Sequence, residues 1–429
     1  MPTSSKREAA AAAGGVDLGV AGPAAGDAGR VGVIDGLRVL AMLWVFYHHA
    51  YSAAGTPGLS FSAFGRTFDA FHVLRMSAGV DLFMVISGFC LFYPLVRRPG
   101  GLAGFEARRF YLKRFWRLSP AYYAAIVFVV LQPVALVLLY RALGRDADWQ
   151  PLPDLWQWVT HLTYTHSLFP STWGGINPSF WAIGLFAQLY LVFPLVVAAV
   201  RRWGLLGTLG AMAGLSIAYD LVAQPLVAGA GFETQMVVQT FFVGYWIQFA
   251  AGMAAAWVVA NDRIRVHAAA AAALLVLAVG VYAAWSLLPG DWPSRSRHAA
   301  LAASFGPLIV GLAYATPPVR WCFANRAVSR LAVVSFTVYL IHQPTLWYFS
   351  EFCRKELALT GGPLLVAIFT GGLAATLVTA TAFYFVAERP FYRRSKRYRM
   401  TREPSPAAAP ASVPAPGADR PRLPVSAGA

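Results

Sequence analysis

LRVLAMLWVFYHHAY (Leu37–Tyr51) has the apolar character of a membrane helix, yet it opens on Arg38 and closes on the pair His48–His49. With its neighbours it forms a run at 33–53, near the ~20 residues that cross a bilayer. On a helix, the eleven steps from Arg38 to His49 advance about 1100°, three turns plus ~20°, and rise ~16 Å. Arg38 and His49 therefore share a face, and His48 is rotated ~80° from it. One reading is a snorkelling interfacial arginine with two boundary histidines. The other is a set of ionisable residues facing a cavity inside the membrane, where they do work. Histidine suits a general base because its ordinary pKa lies near neutrality.

Nine further runs follow, at roughly 79–97, 118–142, 181–200, 204–222, 238–259, 267–288, 299–316, 331–353 and 363–386. The chain of 429 residues is 58% hydrophobic and 13% charged, about half the charged share of soluble domains. Backbone in lipid must satisfy its own hydrogen bonds. The expected fold is therefore an all-α integral membrane protein, a bundle of about ten transmembrane helices. With ten spans the termini share a side, and placing both in the cytoplasm puts 27 of the 35 Lys and Arg there. That is the positive-inside bias. The net charge of +16 then reflects topology, and nucleic acid is not an expected partner.

Residues 1–30 are Ala/Gly-rich without the apolar core of a signal peptide, and 401–429 are Pro/Ala/Ser-rich. Both read as disordered tails around a membrane domain at 31–400. Cys90, Cys322 and Cys353 are too few for a disulfide framework or a zinc site, and no metal is expected.

Five other stretches carry chemistry. GVDLFMVISGFCLFYPL (Gly79–Leu95) sets Asp81 at a helix start, where the dipole favours a carboxylate, and places Ser87–Gly88 mid-membrane. Close helix packing is the default for that small pair. RRFYLKRFWRLSPAYY (Arg108–Tyr123) holds Lys113, Arg114 and Arg117. Arginine forks suit phosphate; stop-transfer topology explains the charges equally well, but not the aromatics among them. The segment 144–180 is rich in Trp and reads as an interfacial belt or a lid. Its His161 and His166, ~140° apart on a helix, make a poor metal pair. SFTVYLIHQPTLW (Ser335–Trp347) puts His342 just before Pro344, which would kink the span; a structural and a catalytic His342 are both compatible. In VAERPFYRR (Val386–Arg394), Glu388 and Arg389 read as a local ion pair at the end of the last span.

In this order the stretches resemble the acyltransferase-3 family of integral membrane O-acyltransferases. The matching segments are IDGLRVLAMLWVFYHH, GVDLFMVISGF, YLKRFWRLSPAYY, FWAIGLFAQLYLVFPL, SFTVYLIHQP and ERPFYR, covering roughly 33–394. The resemblance implies a ten-helix bundle in the plasma or inner membrane. It implies transfer of an acyl group from cytosolic acyl-coenzyme A to a hydroxyl, commonly on a sugar or glycan. No resident cofactor is implied, since acyl-coenzyme A is a co-substrate. The expected partners are this donor, the glycan acceptor and the lipid bilayer. The family's arginine, ten residues, then histidine falls on Arg38 and His49, the catalytic pair. Its arginine pair falls on Arg114 and Arg117, the donor side, with Lys113 beside them. Asp81, Ser87 and His342 are the supporting candidates on the acceptor side. The chain looks like the stand-alone form, without a fused hydrolase-like domain.

One departure stands out. Where relatives carry Trp-Ser and a pair of glutamates in the fourth span, this chain has Trp181–Ala182 and Phe186–Ala187. By chemistry, Asp81 and Glu388 are the nearest substitutes. The expected mechanism has His49 deprotonating the acceptor hydroxyl, with acyl-histidine transfer as a second route. The rivals are a multi-pass transporter or flippase, and a non-catalytic scaffold built on a decayed transferase.

Overall fold

The computed structural model describes residues 28–400 apart from 59, 64–65, 70–75, 99, 145–150, 262, 289–295 and 399. The tails at 1–27 and 401–429, expected to be disordered, lie outside the described residues. Residues 28–30 already belong to the first helix. The main helices are α1 (Ala28–Ala53), α2 (Gly79–Arg97), α3 (Ala107–Ala142), α4 (Leu155–Leu162), α5 (Trp181–Leu226), α6 (Trp246–Ala260), α7 (Ala268–Ser286), α8 (Arg297–Tyr314), α9 (Pro317–Ala324), α10 (Arg326–Lys355) and α11 (Gly361–Ser395). One short antiparallel hairpin, Ser60–Ala63 with Arg66–Asp69, departs from the all-α expectation.

Among the described residues, six helices are long and apolar enough to cross a membrane. They are seven if α8 and α9, bent 113° to each other, form one broken span. Ten were expected, and the difference has local causes. Two of the runs join in the 46-residue α5, too long at ~1.5 Å per residue for one ~30 Å crossing. It breaks at Gly204, whose φ of 76° suits glycine. The run at 238–259 yields only the 15-residue α6. In α10, His342, Gln343 and Pro344 interrupt the apolar pattern in mid-helix.

The surface is inverted relative to a soluble domain. Leu131, Leu138, Leu195, Leu206, Val276, Val366 and Val386 are exposed, whereas Asp35, Asp81, Gln248, His298, His342 and Glu388 are buried. Apolar outside and ionisable inside is the arrangement a lipid solvent selects. Within the bundle, α2 and α6 touch backbone to backbone. A Cβ on Gly88 would lie 2.1 Å from the Phe249 carbonyl oxygen, and one on Gly252 would lie 1.9 Å from that of Val85. Gly88 is therefore a packing residue, as small residues in membrane helices usually are.

Candidate active site

A cavity of about 160 Å³ lies between α1, α2, α3, α5 and α10. Arg38, Arg114 and Arg117 line it together with Ser87, Cys90, Phe186, Tyr190 and Tyr339. Ser87 thus faces the cavity, while its neighbour Gly88 does the packing. Arg38 donates to Cys90 Sγ at 3.3 Å and to Asp35 at 3.4 Å. Arg114 lies over the rings of Phe110 and Tyr190, at 5.8 and 5.6 Å, and its buried Nε has no hydrogen-bond partner. Lys113, expected beside them, is buried but does not line the cavity.

Arg117 is differently placed. Its Nη1 donates to Glu388 Oε1, Thr337 donates to the other carboxylate oxygen, and the guanidinium lies 4.7 Å from the Tyr392 ring centroid. The local Glu388–Arg389 pair read from the sequence is therefore corrected. Glu388 closes a π-helical turn, Tyr384–Glu388, whose extra residue rotates the side chain off the regular helical phase. Arg389 lies instead over Phe385, 5.2 Å away.

The wall of the cavity leads to a pair of imidazoles. Tyr339 lines the cavity, and its ring is 5.7 Å from that of His342. His342 faces His49 across the α1–α10 interface, with ring centroids 5.0 Å apart. His49 thus faces α10, while Arg38, on the same helical face, lines the cavity and donates to Cys90 on α2. His48 makes an edge contact with His49 at 5.1 Å. His342 Nδ1 lies 2.8 Å from the Tyr339 carbonyl and 3.2 Å from that of Val338. Carbonyls only accept, so Nδ1 carries the hydrogen and Nε2 keeps its lone pair.

The geometry is an arginine-lined cavity whose Tyr339 wall backs onto a pair of imidazoles. A family model described as an acyltransferase domain matches residues 31–385. The chain belongs to the acyltransferase-3 family. Among curated relatives, it is 24% identical over 382 residues to acyltransferase MdmB of Streptomyces mycarofaciens, covering 81% of this chain and 90% of that one. It is 28% identical over 174 residues to peptidoglycan O-acetyltransferase OatA of Listeria monocytogenes, covering 40% of this chain and 24% of that protein. It is 23% identical over 363 residues to the putative peptidoglycan O-acetyltransferase YrhL of Bacillus subtilis, covering 82% of this chain and 44% of the relative. The chain thus spans a quarter to under half of the length of the two peptidoglycan relatives. No solved structure matches it.

Within this acyltransferase-3 domain, the two proposed substitutes for the missing acidic residues are both committed elsewhere. Asp81 accepts from Gln248 at 2.8 Å and from Arg297 at 2.5 Å, an ion pair that ties α2 to α8. Glu388 is held by Arg117 and Thr337. Phe186, at one of the departed positions, presents an aromatic ring to the cavity. Arg297 and Tyr339 were not picked out from the sequence. Tyr339 sits in the SFTVYLIHQP motif, one turn before His342, which is the signal that could have found it.

Between α3 and α5, residues 151–180 form the short helix α4 and a series of tight helical turns. His161 and His166 do not share one helix, because α4 stops at Leu162 and the chain reverses through Tyr164, whose φ is 63°. The two imidazoles stack at 4.2 Å and stay buried. Burial lowers His161 from 6.5 to about 4, and burial plus its neighbour lowers His166 to about 3. Both are neutral in the folded segment, while the opened segment binds protons below its ordinary 6.5. Packing of the segment is therefore at full strength above pH 6.5 and weakens as pH falls through 6.5 towards 4 and 3. Hydrogen exchange of residues 155–168, corrected for intrinsic rate, should show greater opening at pH 5.5 than at 7.5. Replacing both histidines by Phe should abolish that difference.

Proposed function

We propose that this chain is a membrane O-acyltransferase. It takes an acyl group from acyl-coenzyme A at the arginine end of the cavity and delivers it to a hydroxyl beside the imidazole pair. The observation that carries the reading is one continuous wall. Arg38, Arg114 and Arg117 line the cavity that Tyr339 closes, and Tyr339 touches the His342 that faces His49. The donor end lies in the cytoplasm, with both termini, and the acceptor is a sugar, a glycan or a glycosylated metabolite. Support for that class comes from the relatives, two of which are named for peptidoglycan O-acetylation.

The roles follow from chemistry. Arg114, with its buried unpaired Nε, is the principal phosphate ligand, and Arg38 assists. His49 removes the acceptor proton as the oxygen attacks the thioester. The C–S bond breaks as the C–O bond forms, and the proton leaves on the coenzyme A thiol.

Purified protein incubated with labelled acetyl-coenzyme A and candidate glycans should yield acylated product; a transporter would yield none. Arg114→Ala should raise KM for the acyl donor about tenfold or more, since a hydrogen bond to a charged group is worth ~1.5–3 kcal/mol. Saturating donor should restore most of the turnover. An unchanged KM would leave Arg114 a topology residue only.

A further inference from the structure

The motif around Pro344 has a partner that the proposed mechanism does not use. Proline has no N–H, so in α10 the carbonyl of Leu340, four residues before it, has no helical donor. Asn177 supplies one, its Nδ2 donating to Leu340 O at 3.3 Å. Asn177 stands at the head of the short 3-10 turn Pro178–Phe180 that precedes α5, and its Oδ1 accepts from the Ser179 N–H at 3.0 Å. Tyr339 donates its hydroxyl to the Ser179 carbonyl at 2.5 Å. The turn is thus clamped onto the turn of α10 before Pro344 by two hydrogen bonds, and the clamp fixes the Ser179 hydroxyl. That hydroxyl donates to Gln343 Oε1 at 2.5 Å and lies 3.4 Å from His342 Nε2. Ser179 and His342 are each 1% exposed.

We propose that Ser179 is a positioning residue that acts through His342, readying Nε2 to hold the proton that His49 takes from the acceptor hydroxyl until the departing coenzyme A thiolate collects it. The proposal rests on the acyltransferase reading. Its logic is that of a single hydroxyl hydrogen between two acceptors. While His342 is neutral, Nδ1–H is spent on the Tyr339 carbonyl, and both Nε2 and Gln343 Oε1 can only accept. Ser179 satisfies one of them, Gln343. When a proton reaches Nε2, the chain Nε2–H to Oγ, and Oγ–H to Oε1, is complete without any group moving. The arrangement therefore favours the proton-loaded imidazole over the neutral one. Preorganised donors and acceptors that match the charge developing during reaction accelerate the chemical step and leave ground-state binding alone. Backbone carbonyls and this hydroxyl orient the imidazole here, while Asp81 and Glu388 are engaged by Arg297 and Arg117.

The full-length protein in nanodiscs, assayed with acetyl-coenzyme A and an acceptor that it acylates, tests this. Ser179→Ala should lower kcat about tenfold or more, the worth of a hydrogen bond to a charged group. KM for acetyl-coenzyme A should stay within about twofold, and the melting temperature should stay near that of the parent. Ser179→Thr, which keeps the hydroxyl, should recover most of the lost turnover, a rescue that a merely structural role would not give. Gln343→Met reads the same chain from its other end and should lower kcat with KM unchanged. If Ser179→Ala and Gln343→Met both turn over like the parent while His49→Gln is dead, the proposal is wrong and the transferase reading stands. If the parent itself forms no acylated product from acetyl-coenzyme A with any sugar or glycan acceptor, the transferase reading falls, and the proposal with it.

Discussion

His49→Gln is expected to cut turnover by about 10²–10⁴-fold, the usual worth of general-base catalysis, while the protein stays inserted and folded. His49 is only partly buried and meets other side chains through ring contacts with His48 and His342. Glutamine matches its polarity and approximate size, so the loss should be chemical. The control is its neighbour. His48 is ~100° away on the helix and so points off the line from Arg38 to His342. His48→Gln should cost less than its neighbour's replacement in the same assay. The measurement is product formation from labelled acetyl-coenzyme A, with donor binding followed separately. Donor binding should survive in both variants, because the arginine end of the cavity lies ~16 Å of helix rise from His49. Turnover by His49→Gln within a few-fold of the parent would remove this residue from the mechanism.

The helical character of the bundle and the faces of its first span were legible in the sequence to a useful degree. A backbone in lipid has few options, so apolar runs become helices and periodicity fixes faces. Periodicity thus sets Arg38 and His49 on one face, and in the structure Arg38 lines the cavity while His49 meets His342 on α10. The number of crossings was less legible: the sequence separates the runs 181–200 and 204–222 where α5 breaks at Gly204, but hydropathy does not register the shortness of α6. What stayed hidden depends on phase and docking. Glu388 reaches Arg117 because a π turn adds a residue to α11, and no local sequence rule marks that turn. His161 and His166 stack because α4 ends between them. The Asn177–Ser179 turn meets α10 through a contact 163 residues away in sequence. Its one local hint was Asn-Pro, a turn signal, lying beside a span whose proline leaves a carbonyl open.

The arginine pair, read from the sequence as two equivalent phosphate ligands, is split by the structure into unlike halves, and stability measures the difference. Glu388 is 2% exposed and is gripped by Arg117 and Thr337 in the bundle interior. Removing one partner of a buried ion pair leaves an uncompensated charge and typically costs ~3–5 kcal/mol. Arg117→Ala should therefore destabilise the bundle by about that amount, read as a lowered melting temperature in detergent and poor recovery from membranes. Arg114→Ala should melt near the parent, since its guanidinium rests on the faces of Phe110 and Tyr190 and its Nε has no partner to abandon. Adding Glu388→Gln to Arg117→Ala should restore much of the stability, because the carboxylate left behind is the source of the penalty. Arg117→Lys should fall between, keeping the charge but losing the planar fork. Arg117→Ala melting together with Arg114→Ala would mean that the Glu388 pair does not anchor α3 to α11, and would return Arg117 to the donor site as the equal of Arg114.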